Sequence, residues 1–166
     1  MNGAIQRLRA EIRFDREALA RRVEELRNLK LSARDPAGRA QAAVALHHAY
    51  GSVEALMERI AREIDGSLPA GSDWHRALLH AMGLDVEAVR PALFSRASVR
   101  TLQEILGFRH FFRHAYAVEL DVARLQELSR RLCRSAPDIL AEIDAFDGFL
   151  AQMAEQARAE QARDKG

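Results

Sequence analysis

The residues best suited to chemistry lie together at 107–120, GFRHFFRHAYAVEL. Arg109, His110, Arg113 and His114 crowd one short run, and no acid stands between Glu104 and Glu119. On a helix turning about 100° per residue, with Arg109 at zero, Arg113 falls near 40°, His110 near 100° and His114 near 140°. Phe108, Phe112 and Ile105 take the neighbouring arc, near −100°, −60° and −40° on the same scale of about 100° per residue. One wedge is thus cationic and imidazole-bearing beside an apolar wedge. Like charges at i,i+4 disfavour a helix by about 0.2–0.5 kcal/mol per pair. Either an anion is the intended partner, or acids from other helices neutralise a solvated face. The residues alone leave both readings open.

The residue types suit one anion in particular. Arginine grips phosphate bidentately and keeps its charge. Histidine, with an ordinary pKa near 6.5, exchanges protons at neutral pH. Arg with His and no carboxylate ligand set points to metal-independent phosphodiester chemistry. In RNA, a base takes the 2′-OH proton, the oxygen attacks the adjacent phosphorus, and an acid protonates the leaving 5′-oxygen. One imidazole supplies one of those roles. Two chains meeting across a two-fold axis at this helix supply both. A dimer also answers the roughly 140° separating Arg109 from His114 on one straight helix.

The elements that must position these side chains read as helices throughout. Ile5, Leu8, Ile12, Leu19, Val23 and Leu26 set a three-and-four spacing for a helix over 3–31, interrupted at Asp15. SARDPAGR at 32–39 is a break. Leu46, Tyr50, Val53, Met57, Ile60 and Ile64 mark a second helix over 39–64, followed by a GSLPAG loop. Ser72 or Asp73 can cap a short helix at 74–82 that stops at Gly83. After an irregular stretch, Ser98 is the expected N-cap of the helix bearing the Arg/His cluster. Asp121 is the expected N-cap of a helix that Ser135-Ala-Pro-Asp breaks or kinks. Ile139, Ile143, Phe146, Leu150 and Met153 form the last apolar stripe, and the tail beyond it reads as frayed. No segment alternates with the period of a strand. The expectation is an all-α antiparallel bundle of five to six helices. It forms one domain with an N-terminal helix at 1–31, a core at 39–134, a C-terminal helix at 137–153 and a polar tail at 154–166.

Composition narrows the function classes. The chain has 166 residues, 48% hydrophobic and 30% charged, with 25 Lys+Arg against 24 Asp+Glu. That near-neutral balance argues against a broad nucleic-acid-coating surface and leaves room for a local cationic site. The lone Cys133 can form no intrachain disulfide and no cysteine zinc site, and its leucine neighbours make it a packing residue. The N-terminus lacks the apolar run of a signal peptide and no segment is apolar enough to span a bilayer, so a cytoplasmic location is expected. Phosphate-binding glycine loops, nucleophile elbows and His-Glu-x-x-His are absent. His47 and His48, about 100° apart, cannot readily share one ion. They and His75 and His80 read as packing or surface residues. No metal or cofactor is assigned.

Arg109, four residues, His114, one residue, Tyr116 resembles the R-x4-H-x-Y motif of HepT-like toxins in the HEPN superfamily. The resemblance extends over about residues 40–133, where HHAYGSVEALMERIAREIDGSLPAGSDWHRALL is similar to the family's second helix, loop and Trp-His helix. It implies a HEPN-like fold and a metal-independent endoribonuclease acting as a homodimer, encoded beside a minimal nucleotidyltransferase (MNT-type) antitoxin. Arg109 would then hold the scissile phosphate and His114 act as acid/base. Tyr116 would line the site and accept AMP from the antitoxin. His110 fits the place of a polar residue that often follows the motif arginine; His110 and Arg113 are further candidate RNA contacts. The alternative is a non-catalytic HEPN-type module that binds a nucleotide or a partner in the same cleft.

Overall fold

Five helices make up the regular structure of the described residues: α1 (Asn2–Asn28), α2 (Pro36–Glu63), α3 (Trp74–Met82), α4 (Arg96–His114) and α5 (Val122–Arg163). The computed structural model describes residues 2–114 and 121–163, without the side chains of 2, 113 and 114. Among these residues there is no strand, only an isolated bridge between Val86 and Arg90. The fold is an all-α bundle. α2 is the hub, packing against each of the other four helices. Its buried face carries the expected stripe of Leu46, Tyr50, Val53, Met57 and Ile60, with Ala42, Ala45 and Ala49 allowing neighbouring helices close approach.

Two helix starts differ from the sequence reading. α2 starts at Pro36, because Asp35 is its N-cap and accepts from the Gly38 N–H at 3.0 Å, with Pro36 in the first turn where no N–H is needed. α4 starts at Arg96, with Ser95 rather than Ser98 as the cap. The Ser95 hydroxyl accepts from the Ser98 N–H at 3.3 Å, and Ser98 itself is buried. α3 spans the expected residues, but Asp73 at its N-cap makes no side-chain cap bond. At the start of α5, Asp121 is the cap as expected, its carboxylate accepting from the Ala123 N–H at 2.9 Å.

The largest difference is at Pro137. α5 is one 42-residue helix that runs through it and onward to Arg163. A proline leaves the carbonyl four residues earlier without its helical donor, a defect of about 3 kcal/mol or more. Here the Cys133 carbonyl accepts instead from Arg27 of α1 at 3.4 Å, and Ser135 bonds Thr101 of α4 at 3.0 Å. Ala136 and Ile139 are fully buried on either side of the proline. Tertiary packing therefore carries the helix across a locally weak point. The stretch beyond Met153 also has an apolar face, since Ala154 and Ala157 are buried.

Several charges on α1 clamp it to its neighbours. Arg9 and Arg13 both bond Asp147 of α5, with Nε–Oδ distances of 2.8 and 3.1 Å, and Arg16 grips Asp144. Asp15, the interruption in the α1 stripe, is buried and meets Arg59 of α2 at 2.9 Å. Burial pushes the Asp15 carboxyl above the usual range despite that partner. For Asp147, burial also opposes ionisation. Hydrogen bonds from Arg9 and Arg13 together outweigh it and hold the carboxyl below its usual range.

A carboxylate held low in the folded state contributes stability that is present above its unfolded pKa, about 3.9, and is lost as pH falls through the lower folded value. Asp147→Asn is therefore expected to lower the urea midpoint at pH 7. It should also narrow the gap between the midpoints at pH 7 and pH 3. An unchanged gap would show that the α1–α5 clamp contributes nothing to acid sensitivity.

Candidate functional site

The site forms where α2, α3 and α4 meet, around a carboxylate on the core face of α2. Glu54 stands one turn after Tyr50 and is only 5% exposed. An ionised carboxylate so far from water requires cations. A guanidinium and an imidazole reach it: Arg109 of α4 donates from Nη1 to one oxygen, and His75 of α3 bonds the other through Nδ1. The Arg109 guanidinium also lies over the Tyr50 ring, 5.4 Å from its centroid. Trp74 stacks on His75 with ring centroids 3.7 Å apart and fixes the imidazole plane.

Local sequence explains the convergence. Gly66 and Gly71 adopt φ of 78° and 98°, a region that favours glycine, and so turn the chain from α2 into α3. The connection from α3 to α4 is pinned by Arg90, buried and bidentate to Asp65 at 2.6 and 2.8 Å, and by the Met82 carbonyl accepting from Leu93 and Phe94. Leu102, Ile105 and Phe108 then seat α4 in the core, which turns Arg109 toward α2.

The helical wedge read from sequence is accordingly divided. Arg109 is not on a solvated cationic face; its side chain is 14% exposed and its charge is matched by an acid from another helix. His110 is exposed and lines a cleft between α3 and α4. Phe111 is exposed as well, whereas Phe108 is buried and Phe112 partly so. α4 extends to Arg113 and His114, whose side chains lie outside the described residues, as does all of Tyr116.

Glu54, Tyr50 and His75 are the members of this site that sequence reasoning missed. The signal was available in Glu54, a charge four residues after a core tyrosine and three before a core methionine. Asp15 broke its stripe in the same way and also proved to be buried against an arginine. The Tyr50 hydroxyl and Arg109 Nε are both buried without a hydrogen-bond partner among the described residues. Burial foremost, with the Glu54 charge beside it, pushes the Tyr50 phenol far above its usual range, so it stays protonated. Unpaired buried donors cost about 1–3 kcal/mol each, so packing alone does not account for this arrangement.

Removing one partner from a buried ion pair leaves the other charge stranded, at a cost of about 3–5 kcal/mol. Glu54→Ala is expected to lower the melting temperature by roughly 6–20 °C, using about 2–4 °C per kcal/mol for a chain of this size. A loss within about 0.5 kcal/mol, the range of ordinary surface changes, would mean the carboxylate does not hold the three helices.

Comparison with known proteins agrees with this architecture. A family model described as HepT-like protein matches residues 41–150, from the second turn of α2 through most of α5. Neither a curated protein nor a solved structure matches the chain. With most of its length and its all-α fold so matched, the chain belongs to the HepT-like family of the HEPN superfamily.

Proposed function

We propose that this protein is a metal-independent endoribonuclease, the toxin of a toxin–antitoxin pair, cleaving RNA at a composite site across a homodimer interface. The observation that carries the reading is Arg109 and His114, spaced as R-x4-H on α4 in a HepT-like chain. His114 serves as acid or base toward the 2′-OH and the 5′-oxygen, and the second chain's copy takes the complementary role. The 2′-oxygen bonds phosphorus as the 5′-oxygen leaves with a proton, giving a cyclic phosphate and a free 5′-hydroxyl. Water and metal enter neither bond change.

The Glu54 contact defines what Arg109 contributes. Glu54 occupies one guanidinium nitrogen and cancels the charge, so Arg109 acts as a preset hydrogen-bond donor to phosphate rather than as a free cation. Glu54 and the Tyr50 ring hold that donor in place. The same neutralisation favours, as a second reading, a non-catalytic module that binds a nucleotide or a partner, because a buried, paired arginine is costly to redirect onto a substrate. Tyr116 is the proposed acceptor of AMP from a minimal nucleotidyltransferase antitoxin.

Cleavage of a long RNA in the presence of EDTA separates the two readings. The wild-type chain should cut, and His114→Ala should lose about 10²–10⁴-fold in rate. Equal rates for the two proteins, or no cleavage by either, would end the ribonuclease reading. Intact mass after co-expression with such a nucleotidyltransferase should rise in steps of one AMP unit, and Tyr116→Phe should stay unmodified. A modified Tyr116→Phe chain would move the acceptor elsewhere.

A further inference from the structure

Arg109 cancelled by Glu54 leaves a difficulty: an RNA chain needs positive charge from somewhere else. The cleft between α3 and α4 has a volume of about 490 Å³ and is lined by His75, Arg76, Arg100, Gln103, Gly107 and His110. Arg76 and Arg100 are exposed, and neither has an ion-pair or hydrogen-bond partner among the described residues. They differ in this from the arginines of α1, each of which meets a carboxylate. Two acids share the cleft, Asp73 and Glu104, and Glu104 is already held by Arg131 at 2.7 Å.

The exposed face of α4 continues this charge along the helix. Arg96, Arg100, Gln103, Gly107 and His110 step by four, three, four and three, and so share one arc, which next reaches position 114. Arg100 stands about 15 Å along the axis from His110, at about 1.5 Å rise per residue. Gly107 lies mid-stripe, where an added Cβ would meet nothing within 4 Å, so the floor is open to a backbone. Phe111, 49% exposed, follows His110 at the edge of this arc, about 100° round the helix from it. An aromatic face next to a cationic groove is how proteins hold single-stranded nucleic acid, by stacking bases and pairing phosphates.

We infer that the α3–α4 cleft is a binding track for single-stranded RNA, with Arg76 and Arg100 pairing backbone phosphates and Phe111 stacking a base. The track rests on the ribonuclease reading for its effect on turnover, and it leads substrate toward position 114 along α4. Its affinity is separable from cleavage.

The test uses the full-length protein. Binding of a fluorescent single-stranded oligoribonucleotide is measured across a salt series with the His114→Ala background, and cleavage with the intact site. Arg76→Gln/Arg100→Gln should weaken binding and reduce the slope of log affinity against log salt by about 1.4, or about 0.7 per phosphate contact. Phe111→Ala should weaken binding about 5-fold or more with the slope unchanged. Arg34→Gln/Arg158→Gln carries the same charge change away from the cleft and should leave the slope alone. In cleavage, the Arg76/Arg100 variant should raise KM for the long RNA while kcat holds.

Equal slopes for wild type and the Arg76/Arg100 variant would overturn the track, as would an equal fall in the Arg34/Arg158 control. A change of oligomeric state by sedimentation with the slope unchanged would assign the face to protein contact and overturn it too. If the wild type binds with the expected slopes but cuts nothing, the ribonuclease reading fails and the track stands. If it cuts and the slopes do not move, the track alone fails.

Discussion

The structure turns on a carboxylate that cannot reach water. Glu54 sits on the core face of α2, where only paired charges are tolerable, and its two oxygens draw in Arg109 from α4 and His75 from α3. That requirement couples three helices at one point. Leu102, Ile105 and Phe108 seat α4 in the core and so turn Arg109 toward that carboxylate, while the same helical geometry sends His110 and Phe111 outward. Apolar burial and the ion pair agree on which side of α4 is left available to a ligand.

Arginine does three different jobs here, and its surroundings decide which. Arg9, Arg13 and Arg16 clamp α1 to α5 through two aspartates. Arg59 and Arg90 neutralise carboxylates inside the fold, and Arg27 reaches the carbonyl that Pro137 leaves without a donor. Arg76 and Arg100 at the α3–α4 cleft have no partner among the described residues. A net charge of +1 conceals this division, because most arginines are cancelled locally and these two are not. Near-neutrality therefore excludes a coating surface without excluding a short anionic track.

The periodicity of apolar residues was sufficient to read the helices. Steps of three and four placed the stripes of α2 and α5 correctly, and α3 was bounded by Trp74 and Gly83 as expected. The starts of α2 and α4 were missed where a nearby side chain capped the helix earlier, and the break at Pro137 failed where partners distant in sequence intervened. Pro137 is a helix breaker by local rules, yet α5 continues because α1 and α4 supply what the local chain lacks. Ser98 and Ser95 both suit a cap, and burial of Ser98 against the core decided between them.

The site was legible as residue types and only half legible as geometry. Sequence alone determined an all-α chain, an Arg/His cluster on one helix and a likeness to HepT-like proteins, because helical spacing and motif are properties of neighbours along the chain. It did not determine that Arg109 turns inward, that Glu54 holds it, or that His75 joins it from α3. Nor did it bring Arg76 across from Arg100. Those outcomes depend on which polar groups meet when separate helices pack, and a buried carboxylate finds its partners in space, not in sequence order.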